Sequence, residues 1–175
     1  MGHEEHRHEA PRSIRIFVVT ASDTRGEAED ESGAFLKDAI ARAGHALAGY
    51  RIVKDEPAEL RAALEAAAAA GADAIVVNGG TGIAARDRTY EAVSGMLEKR
   101  LDGFGELFRM LSWEEIGAAA MLSRAVAGVW GGRAVFSMPG SKAAVRLAWE
   151  KLIGPELGHV VRELRKDAPR HDRTS

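Results

Sequence analysis

The residues best able to do chemistry stand where apolar runs stop. Residues 78–91 read NGGTGIAARDRTYE. Gly79, Gly80 and Gly82 allow positive φ and close approach of a ligand to the backbone, because no Cβ stands in the way. Thr81 adds a hydroxyl, and Asp87 follows in the charged segment Arg86 to Arg88. A second carboxylate, Asp55, lies in Lys54-Asp55-Glu56 just before Pro57, and Ser22, Asp23 and Thr24 end another apolar run. Met138-Pro139-Gly140-Ser141-Lys142 offers a rigid turn, a hydroxyl and a positive charge. Loop amides and helix N-termini present N–H groups to anions, so the chemistry expected here is binding of a phosphate or pyrophosphate. The same residues also have ordinary structural uses. Glycines make tight turns and aspartates cap helices. Ser112 and Ser123 read equally as caps or as ligand hydroxyls.

These residues need elements to position them. Ser13 to Thr20 is too apolar to alternate, as expected of a strand covered on both faces. Phe35, Leu36, Ala39, Ile40 and Ala43 recur at helical spacing and stop at Gly44. A second strand, about Leu47 to Val53, leads into a helix opened by Pro57, striped by Leu60, Ala63, Leu64 and Ala67, and ended at Gly71. Ala74 to Val77 is a third buried strand, and the helix after it runs through Tyr90 and Val93. Three such units predict a parallel α/β sheet with right-handed crossovers. Asp55 and Asp87 then occupy equivalent strand-to-helix junctions and are expected to face one crevice. Glu98 to Gly128 reads as helical with no convincing strand, Leu107, Phe108 and Leu111 giving a packed face that serves as core or as interface. Arg133 to Ser137 is a further strand. The last helical segment is expected to break at Gly154 and Pro155.

With 175 residues, the chain suits one domain, assigned to residues 13–166, with tails at 1–12 and 167–175. His3, His6 and His8 lie in the first tail and have no acidic or cysteine partner arranged around them. A net charge of −2 with interspersed signs gives no footprint for nucleic acid or an anionic membrane. The absence of cysteine excludes disulfides, thiolate metal sites and cysteine nucleophiles. The first dozen residues carry no apolar signal core, and no apolar run approaches the about 18 residues of a membrane span. A cytoplasmic protein is expected. Gly80, Gly82 and Ala85 match G-x-G-x-x-A, which raises a nucleotide-cofactor oxidoreductase as a competitor. That fingerprint belongs to the first strand of its sheet, with an acidic residue about 20 residues on, whereas this loop follows the third strand.

Several segments together resemble one family, the molybdopterin-binding proteins of molybdenum cofactor biosynthesis known as MoaB and MogA, and the spacing looks more like the MoaB branch. They are SDTR at 22–25, the acidic lead into Ser32 and Gly33, and Asp55-Glu56. GGTG at 79–82, RDRTYEA at 86–92, GFGELFR at 103–109, LSRA at 122–125 and PGS at 139–141 complete the set, in order. Asn78 stands where the family often has threonine and Tyr90 where proline is usual, differences that bear on loop stiffness.

The resemblance implies a three-layer α/β/α sandwich with a mostly parallel sheet, and molybdopterin bound at the carboxyl ends of the strands. It implies magnesium-dependent adenylylation of molybdopterin by ATP, giving adenylyl-molybdopterin and pyrophosphate. The alternative within the family is a non-catalytic protein that binds or delivers molybdopterin. Asp55 and Asp87 match the aspartates used for catalysis and for handling magnesium with the nucleotide. Gly79, Gly80, Thr81 and Gly82 match the phosphate site, and Asp23, Ser112, Ser123, Gly140 and Ser141 the further substrate contacts. A homo-oligomer, trimer or hexamer, is implied as well, with other proteins of cofactor biosynthesis as further partners.

Overall fold

The computed structural model describes residues 13–166. The N-terminal histidines and both tails lie outside the described residues. In chain order the elements are β1 (Arg15–Ala21), α1 (Glu31–Arg42), β2 (Ala46–Val53), α2 (Pro57–Ala69), β3 (Ala74–Asn78) and α3 (Thr89–Met96). They continue with β4 (Lys99–Arg100), α4 (Asp102–Ile116), β5 (Val126–Trp130), β6 (Arg133–Met138), α5 (Lys142–Ala148) and α6 (Gly154–Arg165). One sheet runs β2-β1-β3-β6-β5-β4. Its first four strands are parallel.

Side chains alternate across a strand, so each strand of a covered sheet feeds two cores. Along β1, Ile16 and Val18 join Leu36 and Ile40 of α1, Phe108 of α4, Val145 of α5 and Leu157 of α6. Phe17 and Val19 face the opposite way, toward Leu60 and Leu64 of α2 and Val93 of α3. The result is the expected three-layer sandwich. Each of these fully buried aliphatic side chains contributes about 1.5–3 kcal/mol over its exposed state. Gly44 and Gly71, just past α1 and α2, take φ of 78° and 69°, which ends both helices where the sequence placed their stops.

Two expectations are corrected. The segment from Glu98 to Gly128 was expected to hold no strand, yet β4 pairs antiparallel with β5, and β5 antiparallel with β6. The turn between β5 and β6 uses Gly131 and Gly132 at φ of 53° and 73°, the backbone a two-residue hairpin needs. Gly128 hides the strand from a propensity reading, and it is required there, because a Cβ would stand 2.1 Å from the carbonyl oxygen of Lys99. Nor does the last helical segment break at Gly154 and Pro155. A π turn over Trp149–Ile153 carries α5 into α6. Pro155 follows directly on this turn, in which the Gly154 amide bonds the Trp149 carbonyl five residues back, and the wider turn accommodates the proline without ending the helix.

Helix α4 is apolar on two sides. Phe104 and Phe108 are buried in the core, with Leu111 packed against it. Leu107, Met110, Trp113 and Ile116 form an exposed stripe on the outer side, extended by Met121 and Leu122 in the short 3-10 segment Gly117–Leu122. Leu107 therefore separates from Phe108 and Leu111, its expected companions, and is 47% exposed.

Candidate functional site

Strand order reverses about β1, with β2 on one side and β3 on the other. Such a switch point opens a crevice beyond the carboxyl ends of the strands. A cavity of about 290 Å³ lies there, reached by the strand-end loops after β1, β2, β3 and β6. Its floor is main chain. Gly79, at φ of 99°, lies so close to β1 that a Cβ would stand 2.2 Å from the carbonyl oxygen of Ala21. Gly140 lies so close to Gly79 that its own Cβ would be 2.8 Å from the Gly79 Cα. Ser32 Oγ and the Arg25 guanidinium both donate to the Gly140 carbonyl, at 2.9 and 3.2 Å, which fixes the loop after β6 against the loop after β1.

Asp55 and Asp87 both border this cavity. Asp55 is 6% exposed and accepts from Thr89 Oγ1 at 2.7 Å and from the Arg88 amide at 3.1 Å. It thus caps the start of α3 from the end of β2, while its own amide donates to Asp23 Oδ1 at 3.1 Å. Gly80, at φ of 62°, is compulsory beside it, since a Cβ would meet Asp55 Oδ2 at 2.3 Å. Asp87 Oδ2 accepts from the Ala84 amide at 3.1 Å and would lie 2.4 Å from a Cβ on Gly82. Each aspartate shapes the glycine loop as well as facing the cavity.

Beneath the floor runs a buried polar chain. Asn78 Nδ2 donates to the Val19 carbonyl and, at 3.0 Å, to Thr20 Oγ1. Thr20 Oγ1 and Tyr50 OH each donate to Asp30 Oδ2 at 2.6 Å, and the Gly33 amide donates to Asp30 Oδ1 at 2.9 Å. Burial by itself raises the Asp30 carboxyl pKa. The bonds from Thr20, Tyr50 and Gly33 outweigh it and hold the carboxyl below its ordinary value. Burial and the bond to Asp30 push the Tyr50 phenol upward.

Of the residues expected in the site, Asp23, Asp55, Gly79, Gly80, Asp87, Gly140 and Ser141 line the cavity together. Ser141 also caps α5, accepting from the Ala144 amide at 3.2 Å. Thr81 is buried behind the lining, and Gly82 backs onto Asp87. Ser112 is not brought to the cavity; its hydroxyl donates to the Phe108 carbonyl at 2.7 Å within α4. Ser123 sits after the 3-10 segment and also stays outside the lining. Two cations that the residue-by-residue reading did not single out, Arg25 and Arg86, do line the cavity. Arg124 is a third residue that the sequence did not single out. Its Nε donates to the Thr81 carbonyl at 2.8 Å and one Nη to the Gly82 carbonyl at 2.6 Å. The only signal for it was the LSRA segment, in which the serine is the more obvious ligand.

Among the described residues no three His, Asp or Glu side chains are grouped to hold a metal ion on their own. Of the carboxylates in the lining, Asp55 and Asp87 are the ones that could hold a hard cation, and only one that takes most of its oxygen ligands from a bound molecule and water.

Residues 15–159 match the family model described as "Probable molybdopterin binding domain". The chain is 54% identical over 169 residues to Molybdenum cofactor biosynthesis protein B of Halalkalibacterium halodurans, covering 95% of this chain and 99% of that relative. A crystal structure of Molybdenum cofactor biosynthesis protein B superposes with a TM-score of 0.85 at 52% identity, over 89% of this chain and 98% of that one. The tungsten cofactor synthesizing protein MoaB from Pyrococcus furiosus superposes with a TM-score of 0.84 at 39% identity, over 90% of this chain and all (100%) of that one.

Proposed function

The chain belongs to the molybdopterin-binding family of molybdenum cofactor biosynthesis proteins, and from that premise we propose that it adenylylates molybdopterin with ATP and magnesium. A terminal phosphate oxygen of molybdopterin attacks the α-phosphorus of ATP, the new P–O bond forms as the α–β bond breaks, and pyrophosphate leaves. One observation carries the reading: Asp55 and Asp87 border a single cavity whose floor is the main chain of Ala21, Gly79 and Gly140 at the carboxyl ends of β1, β3 and β6.

Such transfers depend on positioning and on neutralising charge. The carbonyls of Gly80, Thr81 and Gly82 are held by the Thr89 amide and by Arg124. A trans peptide points N–H opposite to C=O, so the next amides turn away from those partners, as an anion cradle requires. Arg25 and Arg86 add positive charge at the rim. Magnesium, when bound, draws charge from the phosphate oxygens, and Asp55 and Asp87 are the residues that would hold it with the nucleotide. Asp23, Gly140 and Ser141 complete the substrate contacts.

The exposed stripe on α4 supports a homo-oligomer, trimer or hexamer, with the stripe as contact surface. No helix among the described residues is long and apolar enough to cross a membrane. We place the reaction in the cytoplasm, where ATP is at hand.

One observation favours the alternative, a protein that binds or delivers molybdopterin without turnover: both oxygens of Asp55 already serve the start of α3. Pyrophosphate release from ATP, magnesium and molybdopterin separates the two. Release that depends on the pterin and is lost in Asp87→Asn establishes the transferase. Bound pterin without release establishes the binding protein.

A further inference from the structure

We infer that Arg124 is the positioning residue of the glycine loop, and that Tyr90 and Glu91 exist in part to hold its guanidinium in place. The inference rests on the proposed phosphate site, and it names what keeps that site open. Arg124 reaches the loop from the far half of the sheet, across 43 residues of sequence, and spends its Nε and one Nη on the carbonyls of Thr81 and Gly82. Its other Nη bonds Glu91 Oε1, and the Nη on Gly82 also meets Glu91 Oε2 at 3.2 Å. The Tyr90 ring lies under the guanidinium, 4.6 Å from centroid to Cζ. The bond from Arg124 holds the Glu91 carboxyl below its ordinary pKa, so the pair stays charged at neutral pH.

An exposed Arg–Glu pair on its own is worth little. This one differs in where its remaining donors go. The Arg124 side chain is 24% exposed, and its planar fork meets two successive carbonyls of a loop otherwise rich in glycine. Glycines supply the conformational freedom the loop needs but nothing that selects one conformation. Asp87 and the Thr89 amide fix the two ends of the loop, and Arg124 supplies the selection between them, at Thr81 and Gly82. With both carbonyls drawn to it, the amides of Gly82 and Ile83 are fixed in the opposite direction. The face of the Tyr90 ring adds a cation–π contact that holds the clamp. A lysine could not replace Arg124, because a single ammonium cannot reach two carbonyls and both oxygens of Glu91 together.

The test is residue-resolved amide exchange on wild type, Arg124→Ala and Arg124→Lys, read at Ala84, whose amide bonds Asp87, and at Thr89, whose amide bonds the Gly80 carbonyl. Both variants are expected to quicken exchange at these amides about tenfold or more, with β1 and β3 unaffected. Millimolar guanidinium ion is expected to restore protection to Arg124→Ala, and pyrophosphate release with it, whereas methylammonium is not. Unchanged exchange at Ala84 and Thr89, equal quickening throughout the sheet, or failure of guanidinium to restore protection overturns the inference. Exchange is read without substrate. A wild type that releases no pyrophosphate therefore counts against the transferase alone, and the exchange rates still decide the role of Arg124.

Discussion

The two halves of the sheet differ in emphasis, most of the buried polar groups lying in one and most of the exposed large apolar side chains in the other. In the parallel half, polar groups are buried: Thr20, Asp30, Asp55 and Asn78 all lie inside, each with partners, beneath or beside a cavity. In the antiparallel half, apolar groups are exposed, from Leu107 along α4 to Leu122. Burying polar groups is costly unless their bonds are made, and exposing apolar area is costly unless something covers it. The first departure is answered inside the chain by hydrogen bonds, chief among them the polar chain beneath the floor. The second is left to the homo-oligomer proposed above, whose contact surface the stripe would be. Arg124, emerging from the antiparallel half to grip the glycine loop, joins them.

The contrast between the halves is tested most severely at Asp87. Asp87→Asn is expected to lower pyrophosphate release by about a hundredfold or more while molybdopterin binding is largely kept, as titration of the pterin would show. Turnover at the wild-type rate would remove chemistry from the parallel half. Next is Gly80→Ala, which places a methyl 2.3 Å from Asp55 Oδ2 at a φ of 62°. A loss of about 1–3 kcal/mol in denaturant unfolding is expected, together with loss of pterin binding.

Asp30→Asn tests the buried polar chain beneath the floor, with an expected cost of roughly 1.5–3 kcal/mol near neutral pH. Because the folded carboxyl lies below its ordinary value of 3.8, Asp30 contributes stability that is present above that pH and lost as pH falls through the folded value. Wild type should lose stability over that acid range, and Asp30→Asn should lose less of it; parallel curves would show that Asp30 is not the group responsible. The smallest effect on the fold is expected at Trp113→Glu in the stripe. Its side chain is 61% exposed, so unfolding free energy should stay within about 0.5 kcal/mol while light scattering shows the oligomer reduced toward a single chain. An unchanged mass would detach assembly from α4.

Much of the parallel half was legible because its signals are local. An apolar run followed within a few residues by an aspartate (Asp23, Asp55, Asp87) or a glycine (Gly79, Gly140) marks each junction, and the cavity gathers them as their spacing suggested. What stayed hidden depends on distance. Asp30 read as part of an acidic loop, since nothing nearby shows that Thr20 and Tyr50 will both donate to it. Arg124 looked like one surface cation among many, because its acceptors lie 42 and 43 residues away. Ser112 looked available as a ligand hydroxyl until α4 turned it onto Phe108. The strand β5 was concealed by Gly128, whose reason for being glycine is the backbone of β4, two residues that no pattern would announce. Gly154-Pro155 read as a stop because a π turn that absorbs it leaves no mark in composition.

The contact of Ala21, Gly79 and Gly140 through main chain alone has a consequence for how such a protein can diverge. A floor without side chains offers mutation nothing to trade, so, with the ligand seated as proposed, descendants of this fold inherit the part of it that rests there and can experiment only around the rim, at positions such as Arg25, Arg86 and Ser141. Novelty in what is bound should therefore enter from the edges of the cavity, and the shared group at its base should be the last feature of the ligand to change.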